Sequence, residues 1–281
     1  MNYRTILVQI DRGDESNTRL AVAIRLAGAF GARLVGAYLV DEPEITPSLA
    51  ALLPEESVAR RLREGAEAQH AAEQAFRQAA AAAGCRDLEW RAPSGSPIDA
   101  AVAHGRCADL IIVGQPEWAV ADSSFSARLV SSVLLETGRP MLVVPSVAAS
   151  DRIGSRVLVA WDGGREATRA LADALPFLAR ANKVTVVSVD PGASQRGADA
   201  PARQRLEAYL QSHGIAAEFE HHELGKGDIE IGDWLLSRAA DRSIDLLVMG
   251  GYGHPRWRER VLGGATRSVL STMTVCALMA H

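Results

Sequence analysis

Asp109-Leu110-Ile111-Ile112-Val113-Gly114 and Asp245-Leu246-Leu247-Val248-Met249-Gly250 are two copies of one pattern: an acidic residue, four apolar residues and a glycine. They stand 136 residues apart, and the spacing holds downstream. Val133-Leu134 falls on Val269-Leu270, and Met141-Leu142-Val143-Val144 falls on Ala277-Leu278-Met279-Ala280. A short apolar run closed by glycine reads as a strand covered on both faces, the kind found in parallel sheets. Strand, helix and strand therefore recur without a gap, which marks a duplicated unit.

The starts of the halves also match. Thr5-Ile6-Leu7-Val8-Gln9-Ile10-Asp11 resembles Arg156-Val157-Leu158-Val159-Ala160-Trp161-Asp162 at a spacing of 151 residues. The first half is thus longer by 15 residues between its first and fourth strands, around the Ala-rich helix Pro54–Gly84. Strands are expected at Thr5–Ile10, Arg33–Val40, Asp87–Arg91, Leu110–Val113 and Met141–Val144, then at Arg156–Trp161, Lys183–Val189, Ala217–His222, Leu246–Met249 and Val275–Met279. Helices fill the gaps, as at Asn17–Phe30 and Arg165–Ala181. Such alternation implies right-handed parallel crossovers and an open, doubly wound α/β sheet. The expected organisation is one domain over residues 1–146 and another over 155–281, with the polar stretch Ser146–Ser155 as linker. Two five-stranded sheets are expected rather than one continuous sheet. Each ends on an apolar fifth strand, an edge that proteins cover. The halves should therefore pack through Met141–Val144 and Val275–Met279 as an intrachain pseudo-dimer with approximate two-fold symmetry.

Composition excludes several function classes. The 281 residues carry a formal net charge of -4, and no basic block is present that could neutralise phosphates of a nucleic acid. The mixed-sign run from Glu55 to Glu64 reads as a solvated helix face. Cys85, Cys107 and Cys276 are odd in number and lack CxxC spacing, so neither a disulfide framework nor a zinc site is expected; each reads as a buried or half-buried small residue. His221-His222 with His281 could suggest a metal, but adjacent strand histidines point to opposite faces. No leader and no membrane-spanning run is visible, so a cytoplasmic protein without a membrane partner is expected.

The chemistry sits after the fourth strand of the second half. Gly250-Gly251-Tyr252-Gly253 is followed nine residues later by Gly263-Gly264-Ala265-Thr266 and a helix. Glycines let backbone approach a ligand, and amides at a helix start bind anions. The Gly-Lys-Ser/Thr ending of a Walker loop is missing. In open α/β sheets ligands sit at the carboxyl ends of the strands, where Asp11, Gly114, Asp162 and Gly250 lie. In the first half the same loop carries Glu117, Ala127 and Arg128 where the second has Gly253, Gly263 and Gly264. No nucleophile elbow, HExxH helix or carboxylate pair is present.

Gly250-x2-Gly253-x9-Gly263, together with Asp162 at the end of the first strand, resembles the nucleotide-binding signature of universal stress proteins. The resemblance covers nearly the whole chain as two copies. It implies the fold of adenine nucleotide alpha hydrolases: a five-stranded parallel sheet of order 3-2-1-4-5 in each half. It further implies a stress-response protein, frequent homo-oligomers, and adenine held near Asp162 and Val189. ATP or AMP phosphates would then meet Gly250, Gly253, Gly263, Gly264 and the Ala265 amide. The family pattern has Ser or Thr after the last glycine; here Gly264 stands there. Two function classes follow: an adenine-nucleotide-binding protein, with at most slow ATP hydrolysis, or a scaffold acting through protein partners without nucleotide.

Overall fold

Continuous apolar runs become parallel strands here, and amphipathic runs become the helices that cover them. The computed structural model describes residues 2–13, 15–41, 52–117, 124–147, 152–191, 200–224, 229–252 and 264–281. Tyr3–Ile112 form one compact unit. It contains β1 (Thr5–Ile10), α1 (Glu15–Phe30), β2 (Arg33–Tyr38), α2 (Glu55–Ala82), β3 (Leu88–Arg91), α3 (Pro97–Gly105) and the start of β4 (Leu110–Gly114). Leu7 of β1 lies opposite Val35 of β2 and Ile111 of β4, all in parallel register. β2 pairs with β3 through Gly36 and Trp90. A Cβ on Gly36 would lie 2.9 Å from both the Phe76 and Trp90 rings, so only glycine lets Phe76 of α2 settle on the sheet. The rest of α2 buries little beyond Phe76 and Ala80. Its charged run is solvated, as the mixed signs imply.

The other unit is built from Val113–His281. After the end of β4 come α4 (Phe125–Glu136), β5 (Met141–Val144), β6 (Arg156–Ala160), α5 (Arg165–Leu178), β7 (Lys183–Pro191) and α6 (Ala200–Ser212). Then follow β8 (Ala217–Leu224), α7 (Ile231–Asp241), β9 (Leu246–Gly250), α8 (Gly264–Thr272) and β10 (Cys276–Ala280). Leu158 of β6 pairs with Thr185 of β7 and Leu247 of β9, and Leu247 pairs with Ala277 of β10, all parallel. The strand order is β3-β2-β1-β4-β5 in the first half and β8-β7-β6-β9-β10 in the second, so each follows 3-2-1-4-5.

One expectation is corrected. The two apolar edges do not merely pack: β5 and β10 form an antiparallel hydrogen-bonded ladder, with Met141 opposite Met279, Leu142 opposite Leu278 and Val143 opposite Ala277. The halves are therefore not two separate sheets. Unpaired N–H and C=O groups on two facing edges are best satisfied by each other. Smaller corrections concern ends: β2 stops at Tyr38, β8 continues to Leu224, α5 stops at Leu178 and β10 starts at Cys276. Cys276 is buried and Cys85 half-buried, but Cys107 is exposed at the end of α3.

A carboxylate, buried in the second half and half-buried in the first, closes each repeat at the foot of its first strand. Asp245 accepts backbone N–H groups from Gly154 (2.8 Å), Ser155 (3.2 Å) and Arg156 (3.1 Å). Burial pushes its pKa above the ordinary carboxylate range, against the pull of those amides. Its repeat partner Asp109 accepts from Arg4 (2.8 Å) and Thr5 (3.0 Å). Asp245→Ala should lower stability in urea denaturation by about 3 kcal/mol, the cost of stranding buried amides. Asp109→Ala, at a more exposed position, should cost about 1 kcal/mol.

Candidate functional site

Asp11 and Asp162 follow the first strands of their halves, and both make the same local turn. Asp11 Oδ1 accepts the Gly13 amide at 3.1 Å, and Asp162 Oδ1 accepts the Gly164 amide at 2.8 Å. An aspartate that bonds the amide two residues on is a regular way to start a helix. Beyond that turn the two carboxylates differ.

Asp11 is caged. Arg19 Nη2 reaches its Oδ2 at 2.6 Å, and Gln9 Nε2 donates to the same oxygen at 3.1 Å. The Asp11 amide donates to Ser16 Oγ at 3.2 Å, and Arg19 Nε donates to the Gln9 carbonyl at 2.7 Å. Arg19 is 3% exposed; burial lowers its pKa, while Asp11 pulls it back up. At the 151-residue spacing, Gln9, Ser16 and Arg19 become Ala160, Ala167 and Ala170. Asp162 is exposed, and among the described residues it accepts one hydrogen bond, that from Gly164. The second half therefore has an exposed carboxylate, and alanines at the three equivalent positions, where the first half has an ion pair. Sequence reasoning missed this contrast, although the three alanines are readable once the halves are aligned.

Gly250 ends β9 against the first turn of α5. A Cβ there would lie 2.6 Å from the Ala167 amide nitrogen and 2.7 Å from the Glu166 carbonyl carbon. Glycine is thus required for α5 to dock, and the contact brings Gly250 beside the helix that Asp162 starts. Val189 is half-buried on β7, opposite His222 of β8. Gly264 and Ala265 open α8, Gly264 exposed and Ala265 half-buried. The Glu230 carboxylate lies 3.8 Å from the position of a Gly264 Cβ, which puts a negative charge beside that helix start. Gly253 and Gly263 lie outside the described residues, as do His254, Arg256, Arg258 and Arg260. Thr266 is buried, and its Oγ1 accepts the Tyr252 amide at 3.4 Å.

In the equivalent region of the first half, the described groups bond to one another and to α8. The Glu117 amide donates to Ser126 Oγ at 3.0 Å, and the Ala127 amide donates to Ser124 Oγ at 3.2 Å. Gln115 Nε2 donates to the Leu270 carbonyl at 3.0 Å, while its Oε1 accepts the Ser146 amide at 2.9 Å. At the start of α4 the Ala127 amide already has a partner in the Ser124 cap. His222 lies against Trp234, with ring centroids 4.6 Å apart, and near Glu220, which is clasped by Arg238 and Arg242. Among the described residues no group of His, Cys, Asp or Glu is placed to hold a metal ion. Among them, too, no helix is long and apolar enough to cross a membrane.

Comparison with known proteins places the chain. The model described as the Universal stress protein family matches residues 2–145 and again residues 155–281. A solved universal stress protein from Archaeoglobus fulgidus DSM 4304 is 15% identical with a TM-score of 0.67, covering 98% of this chain and 97% of its own. A putative universal stress protein from Pseudomonas aeruginosa UCBPP-PA14 is 17% identical with a TM-score of 0.59, covering 99% and 93%. Both likenesses are of fold. A universal stress protein solved in complex with cAMP is 27% identical over 52% of this chain and 99% of its own, with a TM-score of 0.34. Among curated proteins none matches.

The two aspartates should respond differently to mutation. Arg19→Ala strands a partly buried carboxylate and should cost about 3 kcal/mol in thermal or urea unfolding. Asp162→Ala removes a helix-start hydrogen bond and should cost about 1 kcal/mol or less. Equal losses would mean that Asp162 is held as tightly as Asp11.

Proposed function

The chain belongs to the universal stress protein family in two copies, and on that premise we propose that it binds one adenine nucleotide, ATP or AMP, in its second half. The observation that carries this reading is the contrast at the strand ends: Asp11 is paired with Arg19, while Asp162 is exposed and Ala160, Ala167 and Ala170 stand at the equivalent positions of Gln9, Ser16 and Arg19. An adenine ring needs apolar surface and a polar group at its edge. Asp162 supplies the polar group, and the half-buried Val189 and Ala160 supply the surface. The phosphates lie along Gly250, Gly253, Gly263, Gly264 and the Ala265 amide, where a helix start favours negative charge. In this reading the first half binds no nucleotide, because Arg19 takes its carboxylate, Ser124 takes the Ala127 amide, and Glu117, Ala127 and Arg128 stand where the second half has glycines.

Two features weaken the phosphate end. Gly264 offers no hydroxyl, a loss of about 1.5–3 kcal/mol for a hydrogen bond to a charged group. The Glu230 carboxylate beside Gly264 repels phosphate unless a cation intervenes. Both favour AMP, or ATP with its charge compensated, over free ATP. They also favour the second reading, a scaffold of the same family that works through protein contacts without nucleotide. In either reading the chain is a cytoplasmic binding protein of two domains, residues 1–146 and 155–281, that forms a homo-oligomer or stands as an intrachain pseudo-dimer. Any ATP turnover is slow.

Titration calorimetry on the intact chain decides. One site per chain is expected for AMP or magnesium-ATP. Asp162→Ala should weaken binding at least about tenfold, the worth of one charge-assisted hydrogen bond. Glu230→Gln should tighten ATP binding, and Glu117→Ala in the first half should change nothing. Two sites per chain, or unaltered binding in Asp162→Ala, overturns the assignment. Absence of binding by any adenine nucleotide selects the scaffold.

A further inference from the structure

The residue that leads into the glycine loop of the second half is held by a helix of the first. Tyr252 follows Gly250 and Gly251, has φ of +59° and is 4% exposed. A bulky residue in the left-handed region is strained and persists only where its surroundings hold it. Its hydroxyl lies 3.1 Å from Ser131 Oγ on α4, and burial pushes its pKa up while that hydrogen bond pulls it down. Its amide donates to Thr266 Oγ1 at 3.4 Å, so the two roots of the loop are tied to each other. Gly251 is pinned as well. Its amide donates to the Ala280 carbonyl at 2.9 Å, and its carbonyl lies 3.0 Å from His281 Nδ1. A Cβ on Gly251 would come 2.6 Å from Leu134 Cδ2, again on α4.

The repeat makes these contacts reciprocal. At the 136-residue spacing Gly251 corresponds to Gln115, and Leu134 to Leu270. Gln115 of the first half donates to the carbonyl of that same Leu270 on α8. Each half thus braces the turn after the other's fourth strand with its last helix, and Tyr252 with its buried hydroxyl is found on one side alone. We propose that Ser131 and Leu134 are positioning residues for the nucleotide site: α4, from the half whose own loop lost its glycines, fixes the backbone of Gly251 and Tyr252 just after β9. This rests on the nucleotide reading for its effect on ligand, and on geometry alone for its effect on the loop. It gives the first half a role in binding without a ligand of its own.

The test is hydrogen–deuterium exchange of the intact chain, read in peptides spanning Gly250–Thr266, with AMP and magnesium-ATP titrations beside it. Ser131→Ala and Tyr252→Phe each remove one hydroxyl of the pair; Ser131→Thr keeps it. Exchange at Gly251 and Tyr252 should rise about fivefold in the first two, the value of one typical hydrogen bond, and stay near wild type in the third. Peptides from β1 to β3 should not change. If the wild type binds nucleotide, its Kd should rise by a similar factor in the same two variants and be rescued in Ser131→Thr. Unchanged exchange in Gly250–Thr266, or an equal rise across β1 to β3, overturns the proposal. So does raised exchange with an unaltered Kd. If the wild type binds no adenine nucleotide, the reading of the site falls, and the exchange result alone decides whether α4 holds the loop.

Discussion

The backbone ladder between β5 and β10 is the constraint on which the rest depends. Leu142 and Leu278, which face each other at its centre, are the same residue of the repeat. On either side Met141 meets Met279 and Val143 meets Ala277, so the register maps onto itself when the copies are exchanged. All eight residues Met141–Val144 and Ala277–Ala280 are buried. Two apolar edges that would each recruit another chain satisfy one another instead. The ladder also sets which helices meet which turns: α4 reaches Gly251 and Tyr252, and α8 reaches Gln115.

Duplication under that constraint lets the copies diverge. A ligand site is costly to keep because its polar groups must stay open. In the first half Arg19, Gln9 and Ser16 surround Asp11, and Ser124 caps the start of α4. The second half has alanines at the three cage positions. The last helix of the first half, α4, meets the turn after β9 through Ser131 and Leu134.

Most of the fold was legible because buried parallel strands are written as unbroken apolar runs; β5 and β1 fall where the runs begin and end. Helix and strand ends were less legible, since Ala179–Ala181 after α5 and Val40 after β2 carry no residue that forbids continuation. Sequence also showed that two edges needed cover, but an apolar edge looks the same whether it is packed against or hydrogen-bonded. The site was half legible. Glycines announce close approach without naming the neighbour. At Gly250 the neighbour is the backbone of α5, and at Gly251 it is Leu134, so neither by itself requires a phosphate. The cage on Asp11 escaped notice because Gln9, Ser16 and Arg19 gather on it from a strand and from separate turns of a helix.

In the proposed reading, the two copies are separated by the environment of one carboxylate, and stoichiometry reads it out. Native mass spectrometry of the intact chain, incubated with AMP and with magnesium-ATP, counts ligands directly. One adenine nucleotide per chain, lost in Asp162→Ala and kept in Glu117→Ala, is the result that an open second site and a closed first site require. Two nucleotides per chain, or one that survives Asp162→Ala, contradicts it.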